Sequence, residues 1–404
     1  MAISVALDVA GQFPILSRPG LVYLDSAATA QTPVPVLDAM DRIYRESNAN
    51  IHRGVYPLAQ EATEAFEGAR GIVADWIGAS VQETIFAKNA TEAINLVAYS
   101  WGRRNVGPGD RVLITEMEHH SNIVPWQLLC AEVGAELRYV PVTSDYQLDQ
   151  SVLESELAAG PKLLAITAVS NVLGTTNPLS QIIHQAHDAG ALVLVDGAQA
   201  VPHHRVNVRD LDADFYAFTG HKVYGPTGVG VLYAKRALLE DMPPFLGGGD
   251  MISRVDFFES RWNDLPWKFE AGTSPYVEAV GLGAAIGWLD SLGIEAVEAH
   301  EAALVRYALE RLGEVDGVSI IGPDWSEARG TAISFAVEGV HPHDVAEILA
   351  RDGVCVRAGH HCAQPLMRAL GVPATSRASI GVHNSSADID RLVDGLAEVK
   401  RIFA

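Results

Sequence analysis

Leu192-Val-Leu-Val-Asp196-Gly-Ala-Gln199, followed further on by Thr219-Gly-His221-Lys222-Val-Tyr-Gly225-Pro-Thr-Gly228-Val-Gly230, decides how this chain is read. Leu192 to Val195 is a short apolar run of the kind that forms a strand buried on both faces. It ends on a carboxylate and a glycine, where the apolar environment gives way to a polar one. Runs of similar length stand at Arg111–Thr115, Leu163–Val169, Ala191–Val195 and Val229–Ala234, each with a helix-like segment nearby. One such segment, Ala59 to Ile77, places Ala62, Phe66, Ala69, Val73 and Trp76 at helical spacing. This alternation predicts an α/β layered fold around a mainly parallel sheet, with the ligand site at the carboxyl ends of the strands.

From about Gly287 the texture changes. Helical stretches at Val280–Leu292 and Ile294–Leu312 lead into short strands at Thr331–Val337 and Val354–Arg357, a final strand at Ala378–Val382 and a C-terminal helix. The 404 residues are therefore expected to form two domains: a large one over residues 20–286 and a smaller α/β one over 287–404. Residues 1–19 are candidates to pack on the smaller one.

The formal charge of −21 repels phosphate backbones and anionic lipid, so nucleic acid and membrane surfaces are poor partners. Three cysteines, Cys130, Cys355 and Cys362, are too few for a disulfide framework and fit a reducing compartment. Met1 to Ile15 lacks a basic start and carries Asp8 in its apolar stretch, so it does not read as a signal peptide. No apolar run reaches bilayer length. A cytoplasmic protein is expected.

A lone Asp after an apolar strand is usually a turn residue, and a lone Lys among glycines is usually solvated. Together, Asp196 and Lys222 are the pair that pyridoxal phosphate (PLP) chemistry requires. The lysine holds the cofactor covalently, and the acid keeps the pyridine nitrogen protonated so that the ring accepts electrons. No P-loop or dinucleotide fingerprint competes with this reading.

At these residues the chain resembles the class V enzymes of the PLP-dependent aminotransferase fold (type I), and among them the group II (Suf-type) cysteine desulfurases. The matching segments are Tyr23-Leu-Asp-Ser-Ala-Ala28, His52-Arg53-Gly54, Ala90-Thr91-Glu92-Ala-Ile-Asn95, Glu118-His119-His120-Ser-Asn-Ile-Val-Pro-Trp126, Ser170-Asn171-Val-Leu-Gly174, Asp196-Gly-Ala-Gln199, Gly220-His221-Lys222, Phe269-Glu-Ala-Gly-Thr273 and Arg357-Ala-Gly-His-His-Cys362. The resemblance implies that Lys222 carries the cofactor and moves the substrate's α-proton. It implies that Asp196 pairs with the pyridine nitrogen, Gln199 bonds the phenolic oxygen and His119 stacks on the ring. Asn171 would sit beside the phenolic oxygen and the substrate carboxylate. Thr91 and the backbone of Ala90, with Thr219 and His221, would hold the phosphate, as a helix N-terminus suits a dianion. Thr273 would reach the phosphate of a neighbouring subunit, which implies a homodimer with shared active sites.

Cys362 lies in a polar loop just ahead of a helix expected to begin at Gln364–Pro365, near imidazoles and Arg357, where fixed positive potential favours a thiolate. It matches the family's persulfide cysteine. Cys130, in the apolar helix Trp126–Val133, and Cys355, between two valines, read as structural. The His-His pairs at 119/120, 203/204 and 360/361 lack metal-site spacing, so no metal is assigned, and His203 and His204 read as surface or loop residues. Arg377-Ala-Ser matches the family's substrate arginine, whose planar fork suits a carboxylate. With Asn171 and Arg357 it completes the substrate set.

The resemblance thus implies conversion of L-cysteine to L-alanine with a persulfide left on Cys362. The short loop ahead of Cys362 implies a docking acceptor protein. The segment Val340-His341-Pro-His343-Asp344 resembles that of members served by a zinc-containing, scaffold-like acceptor, with His343 the residue chosen. Iron–sulfur cluster assembly is the default destination of the sulfur. Selenocysteine cleavage, another class V transfer reaction and a catalytically silent scaffold are the competing readings.

Overall fold

The computed structural model of the protein describes residues 7–324 and 329–403, so the first six residues of the Met1–Ile15 stretch lie outside the described residues. The centre is a seven-stranded sheet in the order Thr84–Ala87, Gly230–Ala234, Phe215–Thr219, Leu192–Asp196, Leu163–Thr167, Arg111–Thr115, Glu136–Val140. Gly230–Ala234 runs antiparallel to both its neighbours, and the remaining pairings are parallel. Alternate side chains of each strand enter different cores. Leu164, Ile166, Val193 and Val195 face one, and Leu163, Ala165 and Leu194 face the other. Burial on both faces is why these strands read as unbroken apolar runs.

Three of the strands were not expected from the sequence. Glu136–Val140 is an edge strand whose charged residues mask its pattern. Thr84–Ala87 is fully buried but only four residues long, and Phe215–Thr219 was missed although its aromatic residues favour a strand.

A second, antiparallel sheet has the order Val318–Ile321, Ala332–Val337, Thr375–Ser379, Arg357–Gly359. The helices Ile294–Gly313, Pro342–Arg351 and Ser386–Phe403 pack with it around a third core containing Leu304, Phe335, Leu349 and Leu396. Two expectations need correction. Val354–Arg357 is not one strand: Val354–Cys355 pairs in parallel with Val22–Tyr23, and Arg357–Gly359 joins the four-stranded sheet. The expected strand Ala378–Val382 is Thr375–Ser379, a polar sequence that is nevertheless fully buried and so carried no apolar signal. At the N-terminus, Val9 and Phe13 are buried in the first core, with the Phe13 ring edge-on to Trp288. Among the described residues no single helix is long and apolar enough to cross a membrane.

Candidate active site

Parallel strands end together, and the site is built where they do. Thr167 and Asp196 are register partners at the ends of adjacent strands, and Thr219 ends the next strand over. All three line a cavity of about 170 Å3. Asp196 is buried, and its Oδ1 accepts from the backbone N–H of Ala198 at 3.0 Å. Burial pushes this carboxyl upward, because no cation is bonded to it among the described residues to offset the lost hydration.

Lys222 follows the Phe215–Thr219 strand in a single tight turn, Gly220–Lys222. The loop is fixed by Gly220 N–H on Val229 O at 2.9 Å and by Ala30 N–H on His221 O at 2.9 Å. The lysine lines the cavity and is otherwise enclosed by protein. Burial, opposed by Asp196 and reinforced by Arg377 and Arg357, lowers its amine to about 8. An amine that sheds its proton this readily is a usable nucleophile towards an aldehyde.

The opposite wall is the start of the helix Ala90–Leu96, with Asn89 as its cap: Asn89 Oδ1 accepts from Glu92 N–H at 2.9 Å. Gly230 lets the neighbouring strand reach this turn, since a Cβ there would lie 2.4 Å from Asn89 Cα. Ala90, Thr91, Thr219 and His221 line this wall, and His221 Nδ1 lies 3.2 Å from Thr29 Oγ1.

His119 lines the cavity, with Nδ1 accepting from Ser121 N–H at 3.1 Å. Burial, with the Lys222 charge beside it, lowers its imidazole to about 3. The ring is therefore neutral and free to lie against another ring. Gln199 donates through Nε2 to Ala27 O at 2.8 Å. Asn171, Arg357 and Arg377 line the same space, and the two arginines are register partners on adjacent strands.

Cys362 is half-buried, and its Sγ lies 3.9 Å from Arg357 Nη2. The helix behind it does begin at Gln364. His361 and Cys362 both adopt left-handed backbone, with φ of 51° and 57°. Asn171 Nδ2 donates to His361 O at 2.8 Å. The loop is thus held over the cavity by residues that line it.

Other expected residues fall elsewhere. Thr273 is exposed and does not line this cavity. His343 is exposed in the first turn of its helix, whose cap is His341, with Nδ1 accepting from His343 N–H. His204 is half-buried in a turn, but His203 is not a surface residue. It is buried, with Nδ1 2.7 Å from Glu301 Oε2, because an acid on the facing helix satisfies it. Cys130 is buried and Cys355 half-buried, each in its expected element. Sequence reasoning passed over Asn89, Ser121 and Thr167 as cavity residues. Of these, only Asn89, a capping residue ahead of an apolar helix, carried a readable signal.

These residues fit pyridoxal phosphate. Among the described residues, Asp196 is a buried carboxylate with no bonded cation, and Thr219 Oγ1 is a buried hydroxyl without a partner beside a helix start. Lys222, an amine of lowered basicity, lines the same cavity.

The Aminotransferase class-V family profile matches residues 22–392. A probable cysteine desulfurase of Streptomyces coelicolor is 51% identical, covering 97% of this chain and 96% of that one. The cysteine desulfurase of Haloferax volcanii is 47% identical over 98% of this chain and 97% of its own. Among solved structures, the cysteine desulfurase CsdA of Escherichia coli superposes with a TM-score of 0.91 at 38% identity, covering 97% of this chain and 98% of that one. The apo cysteine desulfurase of Thermococcus onnurineus NA1 gives 0.95 at 39%, covering 99% of each chain. Sheet order, site and relatives agree: this chain belongs to the class V aminotransferase family, among its PLP-dependent cysteine desulfurases.

Proposed function

We propose that this enzyme takes sulfur from L-cysteine, releases L-alanine and leaves the sulfur as a persulfide on Cys362 for an acceptor protein. One observation carries the reading: Lys222 and Asp196 share a single cavity, and the Cys362 loop is pinned over it by Asn171 and flanked by Arg357.

When bound, the cofactor ring draws electrons from the substrate's α-carbon, so that the α-proton becomes removable and the β-carbon–sulfur bond labile. Lys222 would hold the cofactor and then carry that proton on Nζ. Asp196 would keep a proton on the ring nitrogen, Gln199 would bond the phenolic oxygen and neutral His119 would cover the ring face. Ala90, Thr91, Thr219 and His221 would hold the phosphate, and Thr273 would serve the neighbouring protomer of a homodimer. Arg377, with Asn171 and Arg357, would orient the substrate carboxylate.

Cys362 Sγ then forms a bond to the substrate sulfur. The Cβ–S bond breaks with its electron pair going to the three-carbon fragment, and protonation of that fragment yields alanine. No external oxidant or reductant is needed. Delivery towards iron–sulfur cluster assembly, through an acceptor docking near exposed His343, completes the proposal.

Mass spectrometry after incubation with cysteine tests it, with added sulfur on Cys362 and released alanine expected. Cys362→Ser should keep the cofactor's visible absorbance and lose sulfide release. Retained turnover of selenocysteine alone in that variant would favour the lyase reading. A yellow protein that makes no alanine from cysteine would favour the silent scaffold.

A further inference from the structure

We infer that Asp25 sets how firmly Arg377 grips a carboxylate, as the built-in counter-ion that keeps the amino-acid subsite exchangeable. The inference rests on the reading of Arg377 as the carboxylate-binding residue. Asp25 belongs to the Tyr23–Ala28 segment, to which no function had been given.

Arg377 is 1% exposed. Its register partner across the strand is Arg357, which lines the same cavity, so two guanidiniums converge there. Asp25 Oδ1 accepts from Arg377 Nη2 at 3.0 Å, while Arg377 Nη1 donates to Asn171 O at 2.9 Å. Arg377 Nε is buried without a partner among the described residues. Two of the three guanidinium nitrogens are therefore already engaged by protein oxygens, and one is charge-paired.

Asp25 does not swing away easily. Its backbone bridges Ser379, two residues beyond Arg377. Leu24 N–H donates to Cys355 O at 3.0 Å, and the Asp25 carbonyl accepts from Ala28 N–H at 3.0 Å. An arriving carboxylate must share Arg377 with a fixed anion, and like charges so placed repel. Substrate cysteine and product alanine carry the same carboxylate. Two guanidiniums without a counter-ion would hold the product as tightly as the substrate, whereas Asp25 weakens both and speeds exchange. Asp25 is thus a positioning residue with an electrostatic task.

The experiment is calorimetric titration of the holoenzyme with L-alanine, alongside cysteine kinetics. Asp25→Asn keeps an acceptor oxygen for Arg377 but removes the charge, and Asp25→Ser is a second neutral variant should the first not accumulate folded. Alanine should bind several-fold tighter, with KM for cysteine and kcat both falling. Unchanged or weaker alanine binding in the neutral variants, the pattern of a merely structural residue, overturns the inference. Arg377→Lys separates the two levels. If it leaves alanine binding intact, the reading of Arg377 fails and the inference fails with it. If it weakens binding while the Asp25 variants do not tighten it, only the inference fails.

Discussion

The backbone N–H of His120 donates to the carbonyl of Cys362 at 2.7 Å, and Gln364 N–H donates back to His120 Nε2 at 3.1 Å. This exchange joins the loop after the Arg111–Thr115 strand to the loop that carries the thiol. The thiol loop bends through His361 and Cys362, neither of them glycine and both left-handed. Left-handed backbone costs an L-residue roughly 1–2 kcal/mol, so the contacts around the loop must hold it there.

That strain can be read at His361. His361→Gly and His361→Val lose the same imidazole, which lies 2.8 Å from Thr375 Oγ1. They differ in how well their backbones accept a positive φ. Urea unfolding should find the glycine variant more stable than the valine variant by about 1–2 kcal/mol. Both should form less persulfide than the parent. Equal stability would mean that the left-handed turn is not kept.

Lys222 predicts a pH dependence for the cofactor-free chain. Its amine ordinarily loses a proton at 10.5 and here does so at about 8. Below pH 8 both folded and unfolded chains hold the proton, and the folded one bears the whole cost of burying it, at most about 3 kcal/mol. Between 8 and 10.5 the unfolded chain binds the proton more, so stability rises with pH. Above 10.5 the cost is gone. Lys222→Met should therefore raise Tm most below pH 8, with its advantage shrinking to nothing by about 10.5. A constant advantage across that range would show that the lysine is not responsible.

Glu118 is fully buried beside His119 and was legible only as part of a motif. Burial pushes its carboxyl up to about 8, despite three groups that bond it. Its Oε1 accepts from Thr115 Oγ1 at 2.7 Å and Thr167 N–H at 2.9 Å, and its Oε2 from Asn122 Nδ2 at 2.6 Å. Asn122 cannot turn round, because its Oδ1 receives Trp126 Nε1 at 3.0 Å. Glu118→Gln must set an amide NH2 against another donor, costing about 1–3 kcal/mol. Chemical denaturation above pH 8, where the carboxylate is ionised and only accepts, should report that loss, and an unchanged midpoint would refute the donor count.

What the sequence disclosed depended on how each residue's task was encoded. Asp196 and Lys222 were legible because an apolar strand and a glycine-flanked turn frame them, and Cys362 because a polar loop and a helix start surround it. The strand Thr375–Ser379 escaped because its burial is satisfied by hydrogen bonds and by Asp25 rather than announced by apolar residues. His203 was placed at the surface because its acid, Glu301, comes from a helix far along the chain. Pairings made across such distances leave no local pattern, which is why the partnership of Asp25 with Arg377 emerged only from the fold.

Thr219 offers the sharpest separation of stability from binding. Its Oγ1 is buried and has no partner among the described residues, at the end of a strand facing the Ala90–Leu96 helix start. Thr219→Val keeps the shape and removes a hydroxyl that contributes no bond until a phosphate arrives. The cofactor-free variant should be as stable as the parent or more so, since an unsatisfied buried polar group is a cost. Its affinity for PLP should nevertheless drop, because a hydrogen bond to a charged group contributes about 1.5–3 kcal/mol, roughly tenfold or more in Kd. Thermal unfolding without cofactor and fluorescence titration with PLP measure the two sides independently. A variant that loses stability yet binds PLP normally would place the hydroxyl's partner within the protein and remove Thr219 from the phosphate site.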